Sequence, residues 1–246
     1  MKVFSSAKSP LCVNFINHDL GGEVLKVMFK NGDDLRQDIL TLQMIDIMDR
    51  IWLDHDLDLA MTPYKVLLTD CMQGYLEFNL NTCTLADIQH KNKESMWHTF
   101  SDTSIHDFFV EKIIGRLCRE DDFHEYGKDN YKKIQPIQSM ADSGNTKALR
   151  FMKAFNLQLE KIRKVFIRST AGYCVASYVL GLGDRHPDNI MINEKEGNLL
   201  HIDFGHFLEN KKKVAVIKVS REQDPFVFTP EIAYFVNGKS FKESKK

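Results

Sequence analysis

The hydrophobic periodicity changes near residue 80, and this change limits the folds that the chain can adopt. Before it, residues 11–16, 24–30, 64–68 and 75–80 are short apolar segments bounded by turn residues, which is typical of strands. Among them, residues 34–53 carry apolar side chains at helical spacing on two adjacent stripes. We therefore predict a strand-rich first part with one long helix, buried on more than one side.

Helical periodicity dominates after residue 80. Helices are predicted over residues 84–91, 105–119, 147–168 and 170–182. The last of them is apolar nearly all round and is therefore expected in a core. A polar stretch at about 118–147 carries glycines and a proline and is predicted to be an insertion or mobile loop. Two short strands, 190–193 and 199–203, follow around a turn, so the pattern as a whole predicts an α+β fold.

Composition narrows the classes of protein and of partner. The 246 residues are 43% hydrophobic with a net charge of −1, which excludes a disordered chain and a general electrostatic footprint for nucleic acid. An anionic partner must therefore be bound by a local cluster. The five cysteines lack any C-x-x-C pairing, which favours a reducing, intracellular compartment. We expect neither a signal peptide nor a transmembrane helix, because the longest uncharged apolar stretch, residues 169–183, is too short to span a bilayer.

The residues with the clearest chemistry lie at 181–189, which read GLGDRHPDN, and at 201–205, which read HIDFG. Asp184 and Asn189 are five residues apart, and Asp203 follows Asn189 by fourteen. With His186, these side chains can converge at one end of the two predicted strands. Phosphoryl transfer needs such a set, since it uses a group that orients or deprotonates the acceptor hydroxyl and oxygen ligands for magnesium.

A second set lies at the front of the chain. Lys30 ends an alternating strand and Asp38 lies on the next helix, a pairing that can hold a nucleotide phosphate. Upstream, residues 4–10 can form a tight loop in which backbone N–H groups, the Ser6 hydroxyl and the Lys8 ammonium meet phosphates. This loop has no glycine, so it matches neither the Walker pattern nor the glycine loop of protein kinases.

Four blocks together resemble, in family order, the catalytic domain of phosphoinositide 3-kinases of class I type. They are KNGDDLRQD at 30–38, AGYCV at 171–175, LGLGDRH at 180–186 and HIDFGH at 201–206. The resemblance implies a two-lobed, protein-kinase-like fold, truncated at both ends. Its strand-rich small lobe comprises residues 1–80, and its mostly helical large lobe, with the insertion and the catalytic and activation loops, comprises residues 81–246.

The same resemblance implies roles for individual residues. ATP would lie between the lobes, at a hinge near Glu77 to Asn79. Magnesium would be bound by Asn189 and Asp203, while Asp184 and His186 serve the attacking inositol hydroxyl. The residues implied to bind ATP are Ser6, Lys8, Lys30, Asp38, Tyr64, Glu77 and Asn79.

The implied substrate is a phosphoinositide, phosphorylated at its 3-hydroxyl. The stretch 203–230 would form the substrate loop, and its cations favour multiply phosphorylated headgroups such as phosphatidylinositol 4,5-bisphosphate. These cations are Lys211, Lys212, Lys213, Lys218 and Arg221. The enzyme would be cytoplasmic and peripheral at membranes, and it would depend on a regulatory subunit or on further domains outside this chain.

Other interpretations stay open at this point. Phosphatidylinositol 4-kinases and related protein kinases share the same layout of catalytic residues. The short length also allows an inactive, kinase-like fragment that serves as a scaffold. Magnesium-dependent ATP binding followed by turnover on lipid vesicles distinguishes an enzyme from a scaffold.

Overall fold

The structure of the protein, a computed structural model, describes residues 2–3, 10–19, 21–22, 24–77, 81–93, 102–119, 123–124, 126, 134–205 and 226–238. Within these ranges the strands are β1 (Lys2–Val3), β2 (Leu11–Phe15), β3 (Leu25–Asn31), β4 (Val66–Asp70), β5 (Gln73–Glu77), β6 (Thr82–Thr84), β7 (Ile190–Asn193) and β8 (Leu199–His201). The helices are α1 (Arg36–Asp54), α2 (Leu85–Lys93), α3 (Ser104–Leu117), α4 (Gln135–Asp142), α5 (Thr146–Leu180) and α6 (Pro230–Asn237). The predicted mixture of strands and helices is confirmed. None of the helices in these ranges combines the length and apolar character that crossing a bilayer requires.

The strands form two antiparallel sheets. The first has the order β1-β2-β3-β5-β4, and the second has the order β6-β7-β8. In the first sheet Lys30 lies opposite Gly74. A Cβ on Gly74 would lie 2.5 Å from the carbonyl oxygen of Leu67, so only glycine permits this close approach of β4 and β5.

Helix α1 packs through one face only, which corrects the prediction that it is buried on several sides. Leu42 and Ile45 are buried. The second apolar stripe is exposed to solvent, its members being Leu40, Met44, Ile47 and Ile51. Helical spacing shows where apolar side chains lie on a helix, but it does not show whether a neighbouring element covers them.

Helix α5 replaces the two helices predicted over 147–168 and 170–182. Asn145 caps its start by accepting from the backbone N–H groups of Lys147 and Ala148, and Gly181, at φ +57°, ends it. Ser169 does not interrupt the helix because its hydroxyl donates to the carbonyls of the preceding turn and accepts from the N–H of Leu199. The end predicted to be buried is partly exposed, since Val175, Tyr178 and Val179 are 45%, 67% and 58% accessible.

Two further elements differ from the prediction. The stretch at 118–147 contains α4, with Pro136 in its first turn and with Ile137 and Ala141 buried, so it is not wholly a loop. Helix α6 was not predicted, although Thr229 caps its start and Gly238, at φ +68°, ends it. The short strand β6 was also missed.

The core beside the second sheet is rich in aromatic rings. Phe235 of α6 packs against Phe109 of α3 and Phe166 of α5, with ring centroids 5.2 and 5.0 Å apart. Residues 55–65, which join α1 to β4, contact the second sheet through its β7–β8 turn. The amide nitrogen of Asn198 donates to the Thr62 hydroxyl at 2.7 Å. This bond joins the segment after α1 to the turn between β7 and β8.

Candidate active site

Asp38, in the first turn of α1, is a buried carboxylate that joins three segments of the chain. Its Oδ1 accepts from the backbone N–H of Phe204 at 3.1 Å and from the Tyr64 hydroxyl at 3.2 Å. The same hydroxyl accepts from the N–H of Asp203 at 3.3 Å. Burial raises the pKa of Asp38, while the Phe204 N–H and the nearby charge of Lys30 act in the opposite direction. The segment after β8 is thereby fixed to α1 through its backbone.

Lys30 and Asp203 face each other across this junction. The Lys30 ammonium lies 3.8 Å from Oδ2 of Asp203. The lysine side chain is 15% exposed and the aspartate side chain 52%. The carboxylate of Asp203 therefore remains accessible to a ligand, beside a cation supplied by the first sheet.

Arg185 is buried and binds backbone carbonyls. Its Nε donates to the carbonyl oxygen of Gly183 at 2.9 Å, and Nη1 donates to that of Ile202 at 2.7 Å. Its Nη2 donates to the carbonyl oxygen of Asp203. The guanidinium carbon also lies 5.2 Å from the ring centroid of Phe204. Burial lowers the pKa of Arg185, and the three carbonyls replace the water that its charge loses.

Arg185 thus connects the loop containing Asp184 and His186 to the segment containing Asp203. The spacing of the motif at 181–189 predicted no role for Arg185. Its position between Asp184 and His186, both with predicted roles, was the signal in the sequence that could have indicated a role for Arg185. Phe204 was missed as well, although its ring is fully buried and stacks on Tyr64 at a centroid distance of 6.2 Å.

Asn189 lies in the 3₁₀ turn Pro187–Asn189 that leads into β7. Its side-chain amide nitrogen donates to the backbone carbonyl oxygen of Asp184 at 2.8 Å, and its backbone carbonyl accepts from the N–H of Ile202 at 3.0 Å. The first bond orients the side chain so that Oδ1 can serve as a ligand. Asp184 and Asp203 both adopt positive φ, +57° and +59°, which non-glycine residues adopt mainly where the surroundings enforce it.

His186 lies on the exposed side of the same loop. Its side chain is 47% accessible, and Nδ1 is 3.5 Å from Oδ2 of Asp188. The ring is therefore near both solvent and a carboxylate, which suits a group that exchanges protons with a bound substrate.

The remaining predicted residues are not all brought into this cluster. Glu77 ends β5, where its carboxylate accepts from the backbone N–H of Lys65 at 3.0 Å and its own N–H donates back to the Lys65 carbonyl. Neither of these two bonds joins Glu77 to Lys30 or Asp203. The role of Glu77 in the hinge stays a prediction. The other sites lie outside the described residues: Ser6, Lys8, Asn79, Lys211, Lys212, Lys213, Lys218 and Arg221.

The residue types at the junction fit a nucleotide phosphate and a magnesium ion. Magnesium prefers hard oxygen ligands and commonly uses one or two protein groups together with substrate phosphates. The accessible carboxylate of Asp203 and the oriented amide oxygen of Asn189 meet this requirement. Lys30 supplies the neighbouring positive charge.

Comparisons with known proteins agree with this chemistry. A family profile described as "Phosphatidylinositol 3- and 4-kinase" matches residues 25–245. Phosphatidylinositol 3-kinase 1 of Dictyostelium discoideum is 40% identical over 245 residues, which cover 99% of this chain and 13% of that protein. Phosphatidylinositol 3-kinase 2 of the same organism is 39% identical, with 100% and 11% covered. Phosphatidylinositol 4-phosphate 3-kinase C2 domain-containing subunit alpha of Pongo abelii is 38% identical over 235 residues, with 96% and 11% covered. The chain thus spans only a small part of the length of these relatives.

Proposed function

The chain belongs to the phosphatidylinositol 3- and 4-kinase family, and we propose that it transfers the γ-phosphoryl group of ATP to the 3-hydroxyl of a phosphoinositide headgroup. The observation that carries this proposal is the junction of Lys30, Asp38 and Tyr64 with Asp203 and Phe204. It joins a cation and an accessible carboxylate from distant parts of the chain, as phosphoryl transfer requires. In this proposal the first sheet with α1 forms the small lobe and the rest forms the large lobe.

Each residue of the junction has a proposed task. Asp203 and Asn189 bind magnesium, which neutralises charge on the phosphates and aligns the group that is transferred. Lys30 binds the phosphates of ATP, together with Ser6 and Lys8. Asp38 and Tyr64 line the inner wall of the pocket, and Asp38 keeps Asp203 in place by binding the neighbouring N–H of Phe204. The hinge beside the adenine is assigned to Glu77 and Asn79.

His186 is the proposed general base. Its imidazole can accept the proton of the 3-hydroxyl while that oxygen bonds to the γ-phosphorus and ADP departs. Asp184 orients the hydroxyl and offsets the positive charge that develops on the ring. The exposure of His186 supports this assignment because the acceptor must approach from solvent or from a membrane surface.

We assign the substrate loop to the stretch after Gly205. Its cations, Lys211, Lys212, Lys213, Lys218 and Arg221, suit a headgroup with several phosphates, phosphatidylinositol 4,5-bisphosphate among them. Acceptance of a phosphorylated inositol is also supported by the Pongo abelii relative, whose name specifies phosphatidylinositol 4-phosphate. Such a substrate places the domain peripherally at cytoplasmic membrane surfaces, with recruitment by further domains or a regulatory subunit.

The test is product identification. The chain is incubated with ATP, magnesium and vesicles that carry phosphatidylinositol, its 4-phosphate or its 4,5-bisphosphate, and the position of the new phosphate is determined. We expect 3-phosphorylated lipid from the wild type and none from Asp203→Ala, whereas Asp54→Ala, an exposed change at the end of α1, retains activity. Phosphate at the 4-position would identify a 4-kinase. Magnesium-dependent ATP binding without turnover on any lipid or protein would indicate a scaffold, and full activity of Asp203→Ala would refute the assigned metal ligand.

A further inference from the structure

A second basic site lies apart from the Lys30 and Asp203 junction, between the end of α3 and the turn that follows β7. It is a cavity of about 440 Å³ lined by Asn81, Lys112, Arg116, Arg119, Glu194 and Lys195. Four of these side chains are basic and one is acidic, so the lining carries a net charge of +3. We propose that this cavity, here called the α3 pocket, binds a small anion that carries two or more phosphate groups.

The contacts in the α3 pocket fix its walls and leave cationic groups for a ligand. Glu194 pairs with Lys112 through an Nζ to Oε2 distance of 2.5 Å, and its carbonyl accepts from Nη2 of Arg116 at 3.3 Å. Its N–H donates to the carbonyl of Asn81 at 2.7 Å, with Asn81 held at φ +57°. Glu194 thus offsets one charge of the lining and anchors three segments, while the charges of Arg116, Arg119 and Lys195 exceed what one carboxylate can balance.

Helix-end electrostatics do not explain the whole cluster. Arg116 lies in the last turn of α3 and Arg119 just beyond its end, where cations interact favourably with the helix dipole. Lys112, however, lies more than one turn earlier, and Lys195 is brought to the same cavity from a different segment. Like charges that the fold gathers around a concave surface attract an anion more strongly than isolated surface charges do.

The geometry indicates the class of ligand. Lys112 and Arg116 are four residues apart, so they share a face of α3, and Arg119 follows in the turn after the helix. The four residue steps from Lys112 to Arg116 extend over about 6 Å along the helix, and Arg119 lies beyond its last residue. Because Glu194 balances only Lys112, three cations from α3, from the turn after it and from Lys195 remain, and a ligand with several phosphates can meet more of them than one phosphate can. A volume of about 440 Å³ falls within the range of roughly 300 to 1,000 Å³ that is typical of small-molecule pockets.

The α3 pocket is distinct from the catalytic junction. Asn189 precedes β7 and Glu194 follows it, so these residues lie at opposite ends of that strand. At the rise of an extended chain, the five residue steps between them correspond to about 16 Å. A ligand here is therefore separate from the phosphoryl group being transferred. Both a soluble inositol polyphosphate and a lipid headgroup have the required chemistry, and the experiment below distinguishes them.

The test measures binding of sodium tripolyphosphate and of inositol 1,4,5-trisphosphate by titration calorimetry, with magnesium removed by chelation. The pocket variant Arg116→Gln/Arg119→Gln/Lys195→Gln is compared with Arg150→Gln/Lys153→Gln/Lys161→Gln, which removes the same charge from exposed positions of α5. Because each contact between charged groups changes affinity by about tenfold or more, we expect at least a 100-fold loss in the pocket variant. The α5 variant should bind within about threefold of the wild type.

A further variant, Lys30→Met with alanine at Lys211, Lys212 and Lys213, removes cations assigned to the junction and to the substrate loop, and binding in the α3 pocket should survive it. Binding that is lost in this variant but kept in the pocket variant would overturn the proposal, as would equal losses in the pocket and α5 variants or no binding by the wild type. Sedimentation with phosphatidylcholine vesicles shows whether the ligand is a lipid headgroup or a free polyphosphate. The vesicles contain phosphatidylinositol 4,5-bisphosphate or, at matched surface charge, phosphatidylserine. A pocket-dependent preference for the bisphosphate vesicles identifies a lipid headgroup, and binding of the soluble probes alone identifies a free polyphosphate.

Discussion

His201, the last residue of β8, makes the stability of the folded protein depend on pH. The ring is 3% exposed and stacks on Tyr173 at a centroid distance of 4.9 Å, with Nδ1 3.5 Å from the Ser177 hydroxyl. Burial, with a smaller contribution from the charge of Arg185, lowers the pKa of His201 to about 3. The folded protein therefore keeps this histidine neutral under conditions in which the unfolded chain protonates it.

The sign and size of the effect follow from linkage. Above the unfolded pKa of about 6.5 both states are neutral at this site, and it adds no pH dependence. Between pH 6.5 and about 3 the unfolded chain binds one more proton, so stability falls by about 1.4 kcal/mol for each unit of decreasing pH. From pH 7.5 to pH 5 the free energy of unfolding should thus fall by about 2 kcal/mol through His201 alone.

The perturbation is His201→Asn, which keeps a polar atom near Ser177 and removes the titrating ring. The variant should be less stable at pH 7.5, because the stacking on Tyr173 is lost. Urea denaturation at pH 7.5 and at pH 5 should show a fall in unfolding free energy that is about 2 kcal/mol smaller than in the wild type. His90→Asn, an exposed change on α2, serves as the matched control. If His201→Asn and the wild type lose equal stability between the two pH values, the assignment of this proton to His201 is refuted.

Three further outcomes are expected. His186→Ala should slow phosphoryl transfer by roughly 10² to 10⁴-fold with little change in ATP affinity; a collapse of ATP affinity with unaltered chemistry, measured by nucleotide titration and rapid quench, would make the residue structural. Alanine at all three lysines of 211–213 should reduce turnover on the 4,5-bisphosphate about tenfold more than on phosphatidylinositol in vesicles of matched surface charge, and a uniform decline would contradict headgroup recognition. Gly197→Ala should lower the free energy of unfolding by about 1 to 3 kcal/mol, because at φ +87° a Cβ would lie 2.6 Å from Cγ2 of Ile162. Gly144→Ala, at φ +89° with open space around it, tests the same backbone strain without the contact, so equal losses in urea denaturation would show that the contact is unimportant.

The sequence predicted the elements whose periodicity is local. The helix at 34–53 and the strand at 190–193 are observed as Arg36–Asp54 and Ile190–Asn193. Spacing in the motif also predicted that Asn189 and Asp203 would lie near each other, and the hydrogen bond from Ile202 to Asn189 brings their segments together. These features depend on residues that are close in sequence or joined by one short hairpin.

Features that depend on distant partners were not predictable in this way. The Ser169 hydroxyl of α5 accepts from the N–H of Leu199, which lies thirty residues later, and no local pattern predicts this contact. The solvent exposure of the outer stripe of α1 depends on what packs there, and that information is not contained in the spacing of its residues. Arg185 binds backbone carbonyls, which every residue has, so no pattern of residue types predicts these partners.

The placement of Asp203 shows how the chemistry proposed for this site depends on residues that do not themselves contact the substrate. Its N–H donates to the Tyr64 hydroxyl, its carbonyl accepts from Arg185, and the next N–H donates to Asp38. All three bonds use the backbone, so together they enforce the positive φ of Asp203 and leave its carboxylate accessible. Because two of the anchors come from α1 and from the segment before β4, a shift of either element moves the carboxylate without touching it. The geometry of the proposed metal ligand is therefore determined jointly by both parts of the fold.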